Sequence, residues 1–146
     1  MLEPTAGEFR DGAHWLPIRV YYEDTDFTGV VYHANFLRYM ERGRSDFLRL
    51  AGVDHAFMTD QGTGGFAVTE VALNYRRPAR IDDGLIVRTV FHPVKGVRLQ
   101  GTQQILRGDE LLVDAKVVAV CIGADGRPKK PPRAMIERLA PWLAQD

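Results

Sequence analysis

The sequence predicts an α+β domain in which an antiparallel sheet of about five strands packs against one long helix. Three observations lead there. Residues 34–51 place apolar side chains at helical spacing. Residues 16–23 alternate between apolar and polar just ahead of that helix. Strand-like runs follow at 66–75, 85–93, 97–106 and 111–122, and consecutive strands joined largely by short turns pair antiparallel. A chain of 146 residues suggests one domain. The expected division is a flexible N-terminal tail over 1–15, the domain over 16–132 and a helical extension over 133–146.

The elements follow in order. Residues 1–14 contain Glu3, Glu8 and Asp11 and no apolar core, so they read as a loose tail and not as a signal peptide. In the first strand Ile18, Val20 and Tyr22 share one face, with Arg19, Tyr21 and Glu23 on the other. Residues 24–29 are loop. The helix presents Phe36, Leu37, Met40, Phe47, Leu48 and Ala51 on one stripe, and Gly43 lies on that stripe. A mid-helix glycine costs about 1 kcal/mol against alanine, so close approach of the sheet or of a partner helix is expected there. Arg38, Arg42, Asp46 and Arg49 fall on the opposite side, with Arg42 and Asp46 as an i,i+4 pair. Asn35 is a candidate N-cap, unless the turn begins nearer Tyr32, and Gly52 ends the helix. Residues 53–65 read as loop, flexible at Gly62-Thr63-Gly64-Gly65. Pro78 implies an edge, a bulge or a break, and Lys95-Gly96 reads as a tight hairpin. The apolar last strand is expected to be covered on both faces or to pair across a subunit boundary. Residues 133–143 could form a short amphipathic helix with Ile136, Leu139 and Trp142 inward.

Composition excludes several function classes. Nineteen basic residues balance nineteen acidic ones, so nothing global argues for nucleic acid or an anionic membrane. No apolar run approaches the roughly 20 residues of a membrane span. Cys121 is the only cysteine, which rules out an internal disulfide and fits a reducing, cytoplasmic compartment. It lies in an apolar run and reads as a buried structural thiol. His14, His33, His55 and His92 have no ligand spacing, so no metal is expected. There is no phosphate-binding glycine loop, GxSxG elbow or dinucleotide fingerprint.

The chemistry concentrates where strand passes through loop into helix. Asp24 and Asp26 lie in the loop, Gly29 follows, and Val31, Tyr32 and His33 lead into the helix. A helix N-terminus offers free amides and the positive end of a dipole. A carboxylate at that mouth is one way to build hydrolytic chemistry without metal or cofactor. Asp26 could equally cap a turn, as aspartates often do.

The stretch Val20-Tyr21-Tyr22-Glu23-Asp24-Thr25-Asp26, continued by Gly29-Val30-Val31-Tyr32-His33-Ala34-Asn35-Phe36-Leu37-Arg38-Tyr39-Met40-Glu41-Arg42, resembles the hotdog-fold acyl-CoA thioesterases. The branch is that of YbgC and 4-hydroxybenzoyl-CoA thioesterase. A looser match runs through Asn74-Tyr75-Arg76-Arg77-Pro78-Ala79-Arg80 and Asp82-Asp83 to the last strand. Two departures stand out. Phe36 replaces a frequent tyrosine, and Phe27-Thr28 is bulkier than the small residues often found before the glycine, which could narrow the pocket.

The resemblance implies a sheet wrapped around the central helix. It also implies a homodimer, often doubled to a homotetramer, with active sites at the dimer interface. The substrate would be an acyl-CoA, hydrolysed to free acid and CoA without a cofactor. Asp26 matches the essential carboxylate, as general base on water or as direct nucleophile. Asp24 reads as structural. Gly29 lets the backbone approach the substrate, and amides near Val31, Tyr32 and His33 suit the oxyanion. His33 could orient water or the carbonyl, protonate the leaving thiolate, or be structural. Tyr22 would border the site or pack in the core. Arg76, Arg77, Arg80, Lys95, Arg98, Lys129 and Lys130 are candidates for the CoA phosphates, the alternative being solvated surface. Two other readings stay open. One is a hydratase or dehydratase using His33 and Glu41, although eight residues separate them by about 12 Å along a helix. The other is a non-catalytic module that binds acyl carrier protein or serves an envelope-associated assembly.

Overall fold

The computed structural model describes every residue except Met1, Glu3, Thr5 and Asp146. Six strands form one antiparallel sheet in the order β1-β2-β4-β5-β6-β3. They are β1 (Glu8–Arg10), β2 (Ala13–Arg19), β3 (Thr63–Tyr75), β4 (Gly84–Phe91), β5 (Arg98–Arg107) and β6 (Glu110–Gly123). Helix α1 (Asn35–Leu50) packs against β2 and β4, α2 (His55–Asp60) leads into β3, and α3 (Arg133–Leu139) follows β6. The strand count is therefore six rather than about five. At 16 residues, or about 24 Å, α1 is a helix of moderate length rather than a long one.

The inward face of β2 carries His14, Leu16 and Ile18, continued by Val20, all buried. The strand ends at Arg19, short of the expected residue 23. The Asp24 carboxylate accepts the Tyr21 amide at 2.8 Å and closes a 3₁₀ turn at Tyr22–Asp24. Short polar side chains offer the backbone such an alternative to the ladder. Tyr22 is turned out by that change and is 82% exposed, so it does not pack in the core.

The expected tail contains real structure. Met1, Glu3 and Thr5 lie outside the described residues, but Glu8–Arg10 pairs with β2. Phe9 stacks on Trp142 at 4.2 Å and meets Phe47 edge-on at 4.9 Å. The Gly7 amide donates to Asp46 at 2.8 Å. Asp46 does not pair with Arg42 on the outer face. It is buried, and its Oδ2 meets Nε2 of buried His14 at 2.8 Å.

Met40, Gly43 and Phe47 face the sheet as expected, whereas Leu37 is exposed and Tyr39 is buried in its stead. A Cβ on Gly43 would lie 2.8 Å from Val87 Cγ1, 3.2 Å from Thr89 Oγ1 and 3.3 Å from Gln103 Nε2. The glycine is where the helix seats. Gly43→Ala is expected to lower stability by about 1–3 kcal/mol, since overpacking outweighs the gain in helix propensity. Denaturant titration checks this, and a stabilised variant would contradict the seating.

Residues 53–65 are not all loop. Asp54 accepts the Phe57 amide at 2.8 Å and caps α2, and Thr63–Gly65 already belong to β3. A Cβ on Gly64 would come within 2.7 Å of the Gly123 carbonyl oxygen, so strand contact explains that glycine. The hairpin at Lys95 is present, with reciprocal Lys95–Arg98 backbone bonds of 2.9 Å. Strand β6 pairs with β5 and β3 within the chain, so neither of its edges reaches a subunit boundary. Its residues alternate between buried and half-exposed, and Cys121 is buried. Met135 and Leu139 are the inward residues of α3, while Ile136 is 40% exposed. The sheet's two edges are the three-residue β1 and the long β3, and the second side of β3 has no strand partner among the described residues.

Candidate active site

Two folded-back segments build the site. Residues 24–31 form a small loop in which Asp26 N donates to Val30 O and Gly29 N to Asp26 O, both at 3.0 Å. Gly29 has φ of 84°, a conformation that glycine adopts without strain. Asp24 then fastens the loop to the helix. Its carbonyl accepts the Tyr32 amide at 3.0 Å and the Asn35 Nδ2 at 2.8 Å. Asp24 is thus structural, as expected. Asn35 is a tether and not the N-cap, a position held by Ala34. The turn begins at Tyr32, whose carbonyl accepts the Asn35 amide at 2.8 Å.

Asp26 sits partly exposed at the mouth of this arrangement. Its Oδ1 accepts the Thr28 amide at 2.8 Å and also the Thr28 hydroxyl. The hydroxyl, then the amide, hold the carboxyl below its ordinary value of 3.8, and His33 acts in the same direction. Asp26 is therefore an anion through the neutral range. A turn-capping role and a chemical role coexist, because the cap uses one oxygen and no hydrogen bond occupies Oδ2 among the described residues. Asp26 lines a cleft of about 500 Å³ with Tyr22, Thr25, Phe27, Gly29 and Ile81. A larger groove lies on the outer face of the sheet between Glu70, Gln100, Thr102 and Lys116, away from this carboxylate.

The oxyanion donors need correction. The Val31 amide is taken by Ala79 O at 2.8 Å and the Tyr32 amide by Asp24 O at 3.0 Å. The next two amides, of His33 and Ala34, have no hydrogen-bond acceptor among the described residues. They are the open donors at the helix mouth. The Val31 side chain is buried in the core, while the Tyr32 ring is exposed and lies 4.6 Å from the His33 ring. His33 is held by its backbone, its carbonyl accepting the Tyr75 hydroxyl at 3.1 Å. Neither Tyr22 nor His33 makes a hydrogen bond to Asp26 among the described residues. Of the bulk at Phe27-Thr28, Thr28 turns back onto Asp26 and Phe27 stands fully exposed at the rim.

The basic candidates divide. Arg76 pairs with Asp114 at 2.9 Å and Arg77 with Glu110 at 3.8 Å, at the Tyr75 end of β3. Lys95 and Arg98 lie near the other end, because Arg98 pairs with Val120 and Val120 with Ala67. Eight residues from Ala67 to Tyr75 amount to about 26 Å of strand. One chain does not gather the four cations at one cleft. Glu41 is engaged by Ser45 at 2.6 Å and stands two helical turns beyond His33. Among the described residues no group of three or more His, Cys, Asp or Glu is placed to hold a metal.

A sheet packed on one central helix, with a carboxylate in the loop that leads to unpaired amides at the helix mouth, fits the thioesterase class of this architecture, and comparison with known proteins agrees. Residues 20–143 match the model of the thioesterase-like superfamily. The acyl-CoA thioesterase YbgC of Haemophilus influenzae is 37% identical over 77% of this chain and 82% of its own length. The acyl-CoA thioester hydrolase YbgC of Escherichia coli is 38% identical over 73% of this chain and 79% of its own. The crystal structure of a probable thioesterase from Bartonella henselae is 41% identical and superposes with a TM-score of 0.76, covering 82% of this chain and 99% of that one. The chain belongs to the thioesterase-like superfamily, in its YbgC group, and has the hotdog fold.

Proposed function

We propose that the protein hydrolyses acyl-CoA thioesters to free acid and CoA at the cleft beside Asp26. The observation that carries this is an anionic carboxylate, one oxygen free, in the loop that runs into a helix mouth whose His33 and Ala34 amides have no acceptor among the described residues. As a base, Asp26 Oδ2 takes a proton from water while the water oxygen attacks the thioester carbon. The amides receive the oxyanion. Collapse expels the CoA thiolate, which recovers the proton from Asp26. As a nucleophile, Oδ2 would attack the same carbon and expel the CoA thiolate to leave an anhydride. Water then opens the anhydride to the free acid and the Asp26 carboxylate, the proton released going to the thiolate. Water is the only other reactant, and no cofactor is called for. Tyr22 and Phe27 give the cleft apolar walls for the acyl group.

The site is open in one chain, and the free β3 edge ends beside it at Tyr75. A homodimer that pairs two β3 edges antiparallel would cover both, and two such dimers could form a tetramer. That pairing lays the Thr63 end of one β3 against the Tyr75 end of the other. The partner subunit's Lys95 and Arg98 would then approach this chain's Asp26, within reach of CoA phosphates. Sedimentation of the active protein is expected to show a dimer or a larger even assembly. A monomer with undiminished turnover would overturn the shared site. No helix among the described residues is long and apolar enough to cross a membrane, and we place the activity in the cytoplasm. Acyl carrier protein is a candidate donor of the acyl group.

The test is thiol release across acyl-CoA substrates of short, long and aromatic acyl groups. Release supports hydrolysis. Hydration of an enoyl thioester without release, or binding without turnover, would displace it.

A further inference from the structure

The hydroxyl of Thr28 is the one side-chain donor on the Asp26 carboxylate among the described residues, and it acts together with its own amide. Both bonds fall on Oδ1. A carboxylate has two oxygens and about four lone-pair sites, so the placement divides the group into a fixed half and a free half. We infer that Thr28 is a positioning residue for Asp26, which fixes Oδ1 so that Oδ2 alone meets water or the thioester. The inference rests on the hydrolytic reading and goes beyond it, because it says which oxygen reacts and what aims it.

The surroundings leave this task to Thr28. Asp26 stands partly exposed on the loop, and Phe27 beside it is fully exposed. The other charged or titratable groups nearby are otherwise engaged or unbonded. Asp24 on the same loop accepts the Tyr21 amide. His33, at the helix mouth, attracts the carboxylate but makes no hydrogen bond to it among the described residues. Tyr22 lines the same cleft without a hydrogen bond to Asp26 among the described residues. Arg80 reaches this loop through its backbone, paired with Val30. The amide bond alone fixes a turn. The hydroxyl adds a second direction to the same oxygen and so sets the rotation of the carboxylate plane. It also favours the ionised form, since hydrogen bonds to a charged form lower its pKa. A group held within reach of the reacting atom can control rate steeply, with about a hundredfold at stake for a displacement of about 1 Å.

Thr28→Val keeps the shape and the amide and removes the hydroxyl. Thr28→Ser keeps the hydroxyl. The experiment compares both with the unaltered protein in the pH dependence of kcat and kcat/KM for one hydrolysed acyl-CoA, with Asp26→Asn alongside. In parallel, carboxyl-carbon NMR follows the titration of Asp26, which does not depend on turnover. For Thr28→Val we expect the Asp26 midpoint and the acid limb to move to higher pH, and kcat to fall by about tenfold with little change in KM. Thr28→Ser should restore both. A Thr28→Val protein whose titration and pH profile superimpose on those of the unaltered protein would overturn the inference. So would a Ser variant as impaired as the Val variant, which points to loop packing instead. If Asp26→Asn keeps full turnover, the reading of Asp26 as the reacting carboxylate fails, and the NMR arm still decides whether Thr28 governs that carboxylate.

Discussion

Asp26→Asn is expected to lower kcat by about a hundredfold to ten-thousandfold, the usual contribution of a positioned general base. The substitution is nearly isosteric. Its amide oxygen can still accept the Thr28 amide and hydroxyl, so the loop that Asp26 closes stays closed. What disappears is the charge and the basicity of Oδ2. Thermal unfolding should therefore be almost unchanged, and KM should change little if the acyl group and CoA are held elsewhere. A residual rate above that of water is also expected, because the His33 and Ala34 amides remain at the helix mouth. The pH profile carries the same signature. Thr28 holds Asp26 ionised below the ordinary 3.8, so activity should not fall through Asp26 until the solution is more acid than that. A loss of rate near neutrality would belong to another group.

Asp46→Ala is expected to be the more damaging change to the fold. Asp46 Oδ2 accepts from Gly7 N and meets His14 Nε2, and His14 Nδ1 is already buried without a partner among the described residues. Truncation leaves a partly buried amide unbonded and a buried imidazole with neither nitrogen satisfied, at a cost of about 3 kcal/mol. For a chain of this size that is a fall of roughly 10 °C in Tm. The N-terminal strand should loosen with it, since Phe9 packs between Phe47 and Trp142. Differential scanning calorimetry reads the first effect and hydrogen exchange of the β1 amides the second. An unchanged Tm would show that the buried cluster contributes nothing.

His14 adds a pH dependence to the same cluster. Burial pushes its pKa below the ordinary 6.5, against the opposing pull of the Asp46 carboxylate. Above 6.5 the imidazole is neutral in both states, and its contribution is complete. As pH falls below 6.5 the unfolded chain takes up the proton first, so the folded state loses stability. His14→Gln should flatten that part of the stability profile.

The sheet was legible where apolar alternation and turn residues agree. The runs at 85–93, 97–106 and 111–122 correspond to β4, β5 and β6, and the Lys95-Gly96 turn closes as its residues suggest. Gly43 was legible for a physical reason, because a costly glycine on an apolar stripe calls for something close to it. Asp46 and His14 were not, since charge and imidazole are read as surface unless their partners are visible, and Gly7 and His14 lie 39 and 32 residues away. Helix α2 escaped because six residues are too few for a period, although Asp54 ahead of Phe57 was a capping signal. At the site, Asp26 came from its motif and the helix mouth from the apolar period. The choice of amides could not be read, because it depends on Ala79 O reaching Val31 and Asp24 O reaching Tyr32. The Thr28 bond was two residues from Asp26 and open to inspection, yet bulk alone suggested a narrowed pocket.

The most direct measurement is the simultaneous quantification of CoA thiol and free acid from one acyl-CoA incubated with the purified protein, beside the same concentration of Asp26→Asn. The account predicts equimolar acid and thiol, both growing linearly with enzyme, and near-complete loss of both in the variant. Acyl-CoA that is bound or hydrated without equimolar thiol and acid, or that is cleaved equally well by the variant, would contradict it.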